Sequence, residues 1–157
     1  MRQIKKAIFE DLQKILNLQK LSFLSEAKLL NNFSIRPLMQ TQEELEDEFT
    51  KSIILKLEDE SKEIIGSIRA YEEDGRVYVD KLIVHPDYQN RGIGTSLLNA
   101  IEMFFEDKVF ELFTSSKSEN NIRFYERSGY REFKREPAAD GVELVFMEKS
   151  QKIPKRA

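Results

Sequence analysis

The chain has 157 residues, and its 25 lysine and arginine residues against 28 aspartate and glutamate residues give a formal net charge of −3. This balance offers no electrostatic attraction for nucleic acid or for an anionic membrane. The chain contains no cysteine, which excludes disulfides, thiolate metal sites and cysteine nucleophiles, and we expect no metal cofactor.

The first fifty residues predict one strand and two helices. Residues 4–9 form an apolar opening that is typical of a short strand. Apolar residues at helical spacing over 12–21 predict the first helix, and the segment 29–37 interrupts that pattern. Thr41, with Glu44 three residues later, forms a capping-box pattern and begins the second helix.

The middle of the chain predicts three strands and then a helix. Turn signals separate the strands, which we place at residues 53–57, 64–71 and 77–84. The helix after Gly94 carries an apolar stripe that would pack on a sheet: Leu97, Leu98, Ile101, Phe104 and Phe105.

The last third of the chain predicts a strand, a helix and two further strands. Gly129 ends the helix in the position of a left-handed cap. The elements are placed at residues 109–113, 118–127, 130–135 and 142–149.

Strands mixed with isolated helices predict an α+β fold, here with about seven strands and about four helices. We expect a single domain over residues 2–149 and a polar, basic tail over 150–157. The first ten residues lack the apolar region of a signal peptide, and no apolar run is long enough to cross a bilayer. We therefore expect a cytoplasmic protein without membrane or nucleic-acid partners.

The most informative segment follows the fourth predicted strand, where a loop with two glycines opens directly into a helix. Backbone amides crowded at a helix start form a socket for phosphate, and a β-carbon at Gly92 or Gly94 would hold the phosphate away. A P-loop needs Lys-Ser/Thr after its last glycine, but Thr95-Ser96 stands here, and a dinucleotide fingerprint needs a third glycine. An ordinary glycine turn remains the alternative.

The loop Gln89-Asn90-Arg91-Gly92-Ile93-Gly94 matches the Gln/Arg-x-x-Gly-x-Gly/Ala motif of the GCN5-related N-acetyltransferase (GNAT) superfamily. The later run 121–130 also resembles that family's last helix and the strand after it. The resemblance covers residues 2–149 and implies a mixed, mostly antiparallel sheet. It also implies acetyl-CoA as the acyl donor.

The resemblance further implies a set of cofactor-binding residues. The main chain of Leu82, Ile83 and Val84 would pair with the pantetheine arm like an added strand. The loop from Gln89 to Thr95 would hold the diphosphate. Asn121 is the candidate for contact with the cofactor arm, a role that family members give to an asparagine at the place of Ser118.

Tyr125 is the candidate catalytic residue, because the family's tyrosine at this motif position can protonate the departing thiolate. The alternative is an ordinary core aromatic. Ser116 or Ser118 could instead cap the helix, and Ser116 with Glu119 forms a capping-box pattern.

Asp80 is the candidate general base, acting through water. Strand alternation places it on the face of Tyr78 and Leu82. A salt bridge between Asp80 and Lys81 is the alternative. His85, the one histidine, is expected to be structural.

The expected reaction is direct acetyl transfer to a primary amine, since no cysteine is present to carry an acyl intermediate. A small-molecule amine is the preferred acceptor. A protein N-terminus or lysine, and a non-catalytic acyl-CoA-binding module, are the alternatives. The acidic run 43–48 is interpreted as a solvated helix face, and a homodimer through the C-terminal sheet edge is possible.

Overall fold

The computed structural model describes residues 3–150, so that residues 151–157 of the predicted tail lie outside the described part. The strands are β1 Ile4–Lys6, β2 Ile53–Glu58, β3 Ile64–Glu73, β4 Arg76–Val84, β5 Val109–Ser115, β6 Arg131–Pro137 and β7 Glu143–Ser150. The helices are α1 Leu12–Ser22, α2 Leu24–Leu30, α3 Arg36–Met39, α4 Gln42–Lys51, α5 Ile93–Glu102 and α6 Glu119–Arg127.

The seven strands form one sheet in the order β1-β2-β3-β4-β5-β7-β6. Only the β4–β5 pairing is parallel, and the other neighbours are antiparallel. The predicted α+β fold with a mostly antiparallel sheet of about seven strands is confirmed. The four expected helices correspond to the helices of nine residues or more, which are α1, α4, α5 and α6. The structure contains two further, shorter helices, α2 and α3.

Helices cover both faces of the sheet, and each face has its own apolar cluster. On one face, Leu97, Leu98 and Ile101 of α5 pack against the strands. On the other face, Leu12 of α1 and Leu45 of α4 are buried in the second cluster. Burial of these side chains is the main stabilising contribution of both clusters.

Strand β1 and helix α5 both end earlier than the apolar pattern of the sequence predicts. The first strand ends at Lys6, and the predicted extension to residue 9 is wrong because Phe9–Asp11 form a 3₁₀ turn. In that turn Asp11 accepts the Ile8 N–H at 2.8 Å. Helix α5 likewise ends at Glu102, so Phe104 is not part of its stripe and is 43% exposed.

Strand β4 contains a bulge at Asp80. The β3 partner of Lys81 is Arg69 and the partner of Val79 is Ala70, which leaves Asp80 as an extra residue. The extra residue reverses the alternation, so Leu82 packs in the same cluster as Val79. The expectation that Asp80 and Tyr78 share a face with Leu82 is therefore wrong.

A buried arginine connects β3 with the helices of the second face. Arg69 is 1% exposed, and its guanidinium donates hydrogen bonds at 2.9 Å to the side-chain oxygens of Gln19 and Gln40. Its Nε lies 2.8 Å from a carboxylate oxygen of Glu48 and 3.8 Å from one of Asp80. Burial lowers the pKa of Arg69, and the negative charges of Glu48 and Asp80 oppose that shift. The cation therefore joins α1, α4 and the β4 bulge.

Replacement of Arg69 by methionine is expected to lower the free energy of unfolding by ~3 kcal/mol, because two carboxylates lose their buried counterion. Lys51→Met is the matched control, since its partner Asp47 is an exposed neighbour on α4. The control should change the free energy by less than ~0.5 kcal/mol. Urea unfolding of both variants measures the difference, and equal losses would contradict the structural role of Arg69.

Candidate functional site

The site is centred on a gap between β4 and β5. The two parallel strands pair at only three positions, from Arg76 with Val109 to Tyr78 with Glu111. Beyond these pairs β4 continues to Val84 and β5 to Ser115, and the structure gives no further pairing between them over residues 3–150. The strands therefore diverge and leave one edge of β4 open.

The antiparallel ladder decides which peptide groups face this gap. The N–H of His85 donates to the Ile65 carbonyl at 2.8 Å, which fixes a hydrogen-bonded pair. Hydrogen-bonded and non-bonded pairs alternate along such a ladder, so Ile83 bonds to β3 while Leu82 and Val84 direct their peptide groups to the gap. The predicted pairing edge is thus reduced from three residues to Leu82 and Val84.

The Val84 carbonyl gives independent support for this assignment. It accepts a hydrogen bond from the Ser22 hydroxyl at 3.1 Å, at the end of α1. Gln89 also reaches the same oxygen at 3.5 Å. These contacts place the end of α1 over the open edge of β4.

The start of α5 presents free amides beside this edge. Gly92 is the N-cap residue with φ +79°, a left-handed conformation that favours glycine, and no side chain caps it. The Ser96 N–H bonds to the Gly92 carbonyl at 3.0 Å, so the N–H groups of Ile93, Gly94 and Thr95 have no partner within the helix. A β-carbon added at Gly92 would meet no atom within 4 Å. Open space and the positive end of the helix dipole suit an anion here.

The remaining loop residues lie at the rim of this anion site. Asn90 is in the left-handed region with φ +63°. The Arg91 guanidinium lies 5.3 Å from the centroid of the Tyr88 ring, at the surface. His85 accepts the Asp87 N–H on Nδ1 at 3.1 Å, which agrees with the structural role expected for it.

The two sequence motifs meet at Gly94. A β-carbon added there would lie 3.3 Å from Phe124 Cζ of α6 and 3.9 Å from Leu82 Cδ2 of β4. The glycine loop, the open edge of β4 and the aromatic end of α6 therefore form one continuous site. Asn121 lies on the exposed surface of the same helix.

Tyr125 lies next to Phe124 and packs against the core. Its ring centroid is 5.2 Å from that of Phe124 and 6.0 Å from that of Tyr130. Burial raises the pKa of Tyr125 to about 12, and the negative charge of Glu26 contributes to the increase. The phenol is consequently neutral, and a hydrogen-bond donor, throughout the physiological pH range.

Glu26 of α2 is a residue that the sequence interpretation missed. The Ser118 hydroxyl lies 2.8 and 2.9 Å from its two carboxylate oxygens and donates to the carboxylate. Ser118 is 6% exposed, so this contact joins α2 to the start of α6. The two residues are 92 positions apart, and no local pattern indicates their contact.

Ser116 does not form the predicted capping box with Glu119. Helix α6 begins at Glu119 after the N-cap residue Ser118, which makes no capping hydrogen bond with its side chain. The Ser116 hydroxyl instead accepts the Glu143 N–H at 3.0 Å and so fixes the loop to β7.

Asp80 lies in a small pocket at the point where β4 and β5 begin to diverge. The pocket is lined by Tyr71, Tyr78, Val79, Asp80, Glu111, Leu112 and Phe113. The Asp80 carboxylate lies 3.2 Å from the Lys81 ammonium and 3.8 Å from Arg69, so the salt bridge considered as its alternative role is present. Burial, followed by the charge of Asp80, raises the pKa of Tyr71 in the same pocket.

Residues 3–150 contain neither a metal-binding cluster nor a membrane-spanning helix. No group of three or more histidine, aspartate or glutamate side chains is placed to hold a metal ion. No helix within this range has both the length and the apolar character needed to cross a membrane.

Residues 26–151 match the family model described as an acetyltransferase (GNAT) domain. The PaiA N-acetyltransferase from Thermoplasma acidophilum, solved with coenzyme A, is 19% identical, with a TM-score of 0.78 and coverage of 96% of this chain and 99% of that one.

Two further structures have the same fold. A GNAT-family acetyltransferase from Staphylococcus aureus Mu50 is 20% identical with a TM-score of 0.76, covering 97% of this chain and 100% of that one. The ribosomal-protein-S18-alanine N-acetyltransferase from Escherichia coli is 16% identical with a TM-score of 0.76, covering 100% and 99%.

The raised pKa of Tyr125 predicts a tyrosine that ionises only near pH 12, which a spectroscopic pH titration of wild type against Tyr125→Phe should reveal. Because the folded-state value lies above the ordinary 10.0, the associated stability is present below pH 10 and is lost as the pH rises towards about 12. Glu26→Gln should bring this pKa closer to its ordinary value. Identical titrations of wild type and Tyr125→Phe would contradict the assignment.

Proposed function

The chain belongs to the acetyltransferase (GNAT) family and is an acetyl-CoA-dependent N-acetyltransferase, and on that premise we propose that it transfers the acetyl group directly to a primary amine of a small molecule. No metal takes part in the proposed reaction. The proposal includes a cytoplasmic location.

One observation carries the proposed site: a β-carbon added at Gly94 would lie 3.3 Å from Phe124 and 3.9 Å from Leu82, so these three residues are neighbours. This proximity supports a path for an extended ligand from the free amides of α5 along the open edge of β4 to Tyr125, the neighbour of Phe124 in α6. Acetyl-CoA is an extended molecule with a diphosphate, an amide-rich pantetheine arm and a thioester at its end. Its diphosphate would bind the amides from Arg91 to Thr95, and its arm would pair with Leu82 and Val84.

The rim residues Gln89, Asn90 and Arg91 complete the proposed cofactor site. Arg91 lies at the surface over the Tyr88 ring, where it would add a positive charge at the edge of the diphosphate site. Ile83 pairs with β3 and would hold β4 in the sheet. The peptide groups of Leu82 and Val84 would then stay directed to the gap. Asn121, exposed on α6, would contact the arm.

The chemistry follows from this placement. A neutral amine attacks the thioester carbonyl carbon, and the oxyanion that forms is stabilised by backbone amides near Val84. The carbon–sulfur bond then breaks, and the electron pair leaves with sulfur. The acceptor nitrogen loses one proton to solvent or to a base and keeps the other in the amide, and the thiolate takes up one proton, so that coenzyme A leaves as the thiol. Holding both reactants in one complex supplies the gain from proximity.

The raised pKa of Tyr125 defines its part in this step. A phenol with a pKa of about 12 is a weaker acid than a thiol, whose ordinary pKa is ~8.5. Complete proton transfer from the phenol to the sulfur is therefore unfavourable at equilibrium. The main contribution of Tyr125 is a hydrogen bond to the thiolate as negative charge develops on the sulfur.

Asp80 is proposed as the group that receives the amine proton through water. Its bulged position places it in the pocket between β4 and β5, near the bottom of the gap. Lys81 and Arg69 hold the carboxylate in place. A water chain from the thioester end to this pocket would export the proton.

Tyr125→Phe should lower kcat by about 10²-fold, the usual effect of losing one hydrogen-bond donor to a developing negative charge, while the Kd for acetyl-CoA stays within about twofold of wild type. Thiol release with an amine panel gives kcat, and calorimetry gives Kd. Binding of acetyl-CoA without amine-dependent thiol release by wild type would instead favour a non-catalytic acyl-CoA-binding module.

Gly92→Ala should weaken acetyl-CoA binding by about tenfold, ~1.4 kcal/mol, because the β-carbon strains the left-handed backbone and fills the space above the amides. Gly75→Ala is the matched control, since Gly75 has φ +81° and also has open space around it, in the β3–β4 turn. Both variants should lose similar thermal stability. An equal loss of acetyl-CoA affinity in the control would overturn the assignment of the diphosphate site.

A further inference from the structure

The carboxylate of Glu26 lies at the thioester end of the proposed site. Tyr125 is seven residues after Ser118, which is two turns of helix, so both side chains share one face of α6. Because Ser118 donates to Glu26, this carboxylate is held on the face that carries the phenol. Glu26 comes from α2, which follows directly on the end of α1 that contacts Val84.

Glu26 retains capacity for another hydrogen-bond donor. A hydroxyl has one proton, so Ser118 satisfies one carboxylate oxygen at a time and leaves the other able to accept. Over residues 3–150 the structure gives Glu26 no lysine, arginine or histidine within ion-pair distance. Its side chain is half-buried, so solvent compensates the charge only in part.

The other carboxylates around the gap differ in this respect. Asp80 has Lys81 at 3.2 Å. Glu111 has Arg76 at 3.0 Å. Their charges are compensated within the protein, whereas that of Glu26 is available to a ligand.

We propose that Glu26 binds the ammonium group of the acceptor beside the thioester and makes the enzyme selective for alkylamines, which are protonated at neutral pH, over uncharged arylamines. This inference rests on the proposed acetyltransferase function. The ammonium would donate one hydrogen bond to the free carboxylate oxygen, while Ser118 keeps the other oxygen in place. Before attack the bound ammonium would lose one proton through water to Asp80, so that the nucleophile is the neutral amine. Charge-assisted hydrogen bonds of this kind are about twice as strong as neutral ones. Glu26 is thus a specificity-determining residue that contacts the substrate.

The test compares wild type with Glu26→Gln, which keeps the shape of the side chain and removes its charge. Hexylamine and benzylamine serve as protonated acceptors, and aniline serves as the uncharged one. In the variant, KM for the two alkylamines should rise by about tenfold or more, while kcat/KM for aniline changes by less than about twofold. Glu10→Gln, an exposed change of the same charge, should leave all three acceptors unaffected.

Two measurements keep the outcomes distinguishable. The Kd for acetyl-CoA, measured by calorimetry, should be the same in wild type and Glu26→Gln. If wild type fails to bind acetyl-CoA, the proposed function itself is wrong. If wild type binds acetyl-CoA and acetylates amines, but Glu26→Gln has an unchanged KM for hexylamine and benzylamine, the role of Glu26 is overturned. Acetylation of aniline alone would also overturn it.

A measurement on wild type alone covers the case in which Glu26→Gln does not fold. With acetyl-CoA at saturation, benzylamine should compete with hexylamine as an alternative acceptor and lower the formation of N-acetylhexylamine, and benzyl alcohol, of similar shape but uncharged, should not. Equal inhibition by the two compounds would show that no charge recognition takes place and would overturn the proposal.

Discussion

The divergence of β4 from β5 is the constraint on which the rest of the site depends. Three parallel pairs hold the strands together, and beyond them the peptide groups of Leu82 and Val84 face the gap. A peptide group that is shielded from water without a partner costs about 1–3 kcal/mol. The free protein meets part of this cost through the Ser22 hydroxyl at Val84. An extended ligand with its own amides would satisfy the whole edge, which explains why an incomplete sheet can bind a long, flexible cofactor.

The helices on both faces keep the gap in a defined shape. On one face, Gly94 brings the start of α5 against Phe124 and Leu82, so the anion site and the aromatic residues cannot separate without loss of packing. On the other face, buried Arg69 connects the β4 bulge to α1 and α4. The position of the reactive end therefore depends on residues far from it in sequence.

The local parts of this site could be predicted from the sequence, and the parts that depend on tertiary contacts could not. The glycine loop and the helix after it form a local motif, and the overall α+β fold followed from hydrophobic periodicity. The polar pair Asp80-Lys81 interrupts the alternation of Val77 and Val79, but two adjacent polar residues do not by themselves distinguish a bulge from a regular strand, so the predicted face of Asp80 was wrong. Glu26 could not be identified from a local sequence pattern because its partner Ser118 is 92 residues away. Only Leu82 and Val84 direct their peptide groups to the gap. To identify them, one must know which residue pairs of β3 and β4 are hydrogen-bonded, and the sequence does not contain this information.

Charge compensation would link the acceptor to the departing thiolate in the proposed site. The fold places Lys81 and Arg69 at Asp80, and Arg76 at Glu111, while Glu26 keeps an uncompensated charge close enough to help raise the pKa of Tyr125. An ammonium bound at Glu26 would neutralise that charge, so the increase in the Tyr125 pKa due to Glu26 would shrink once the acceptor is in place. The phenol would then become a better hydrogen-bond donor to sulfur when both substrates are bound. Before the acceptor arrives, the same charge would disfavour negative charge on a thiolate and would thereby protect the thioester from unproductive cleavage.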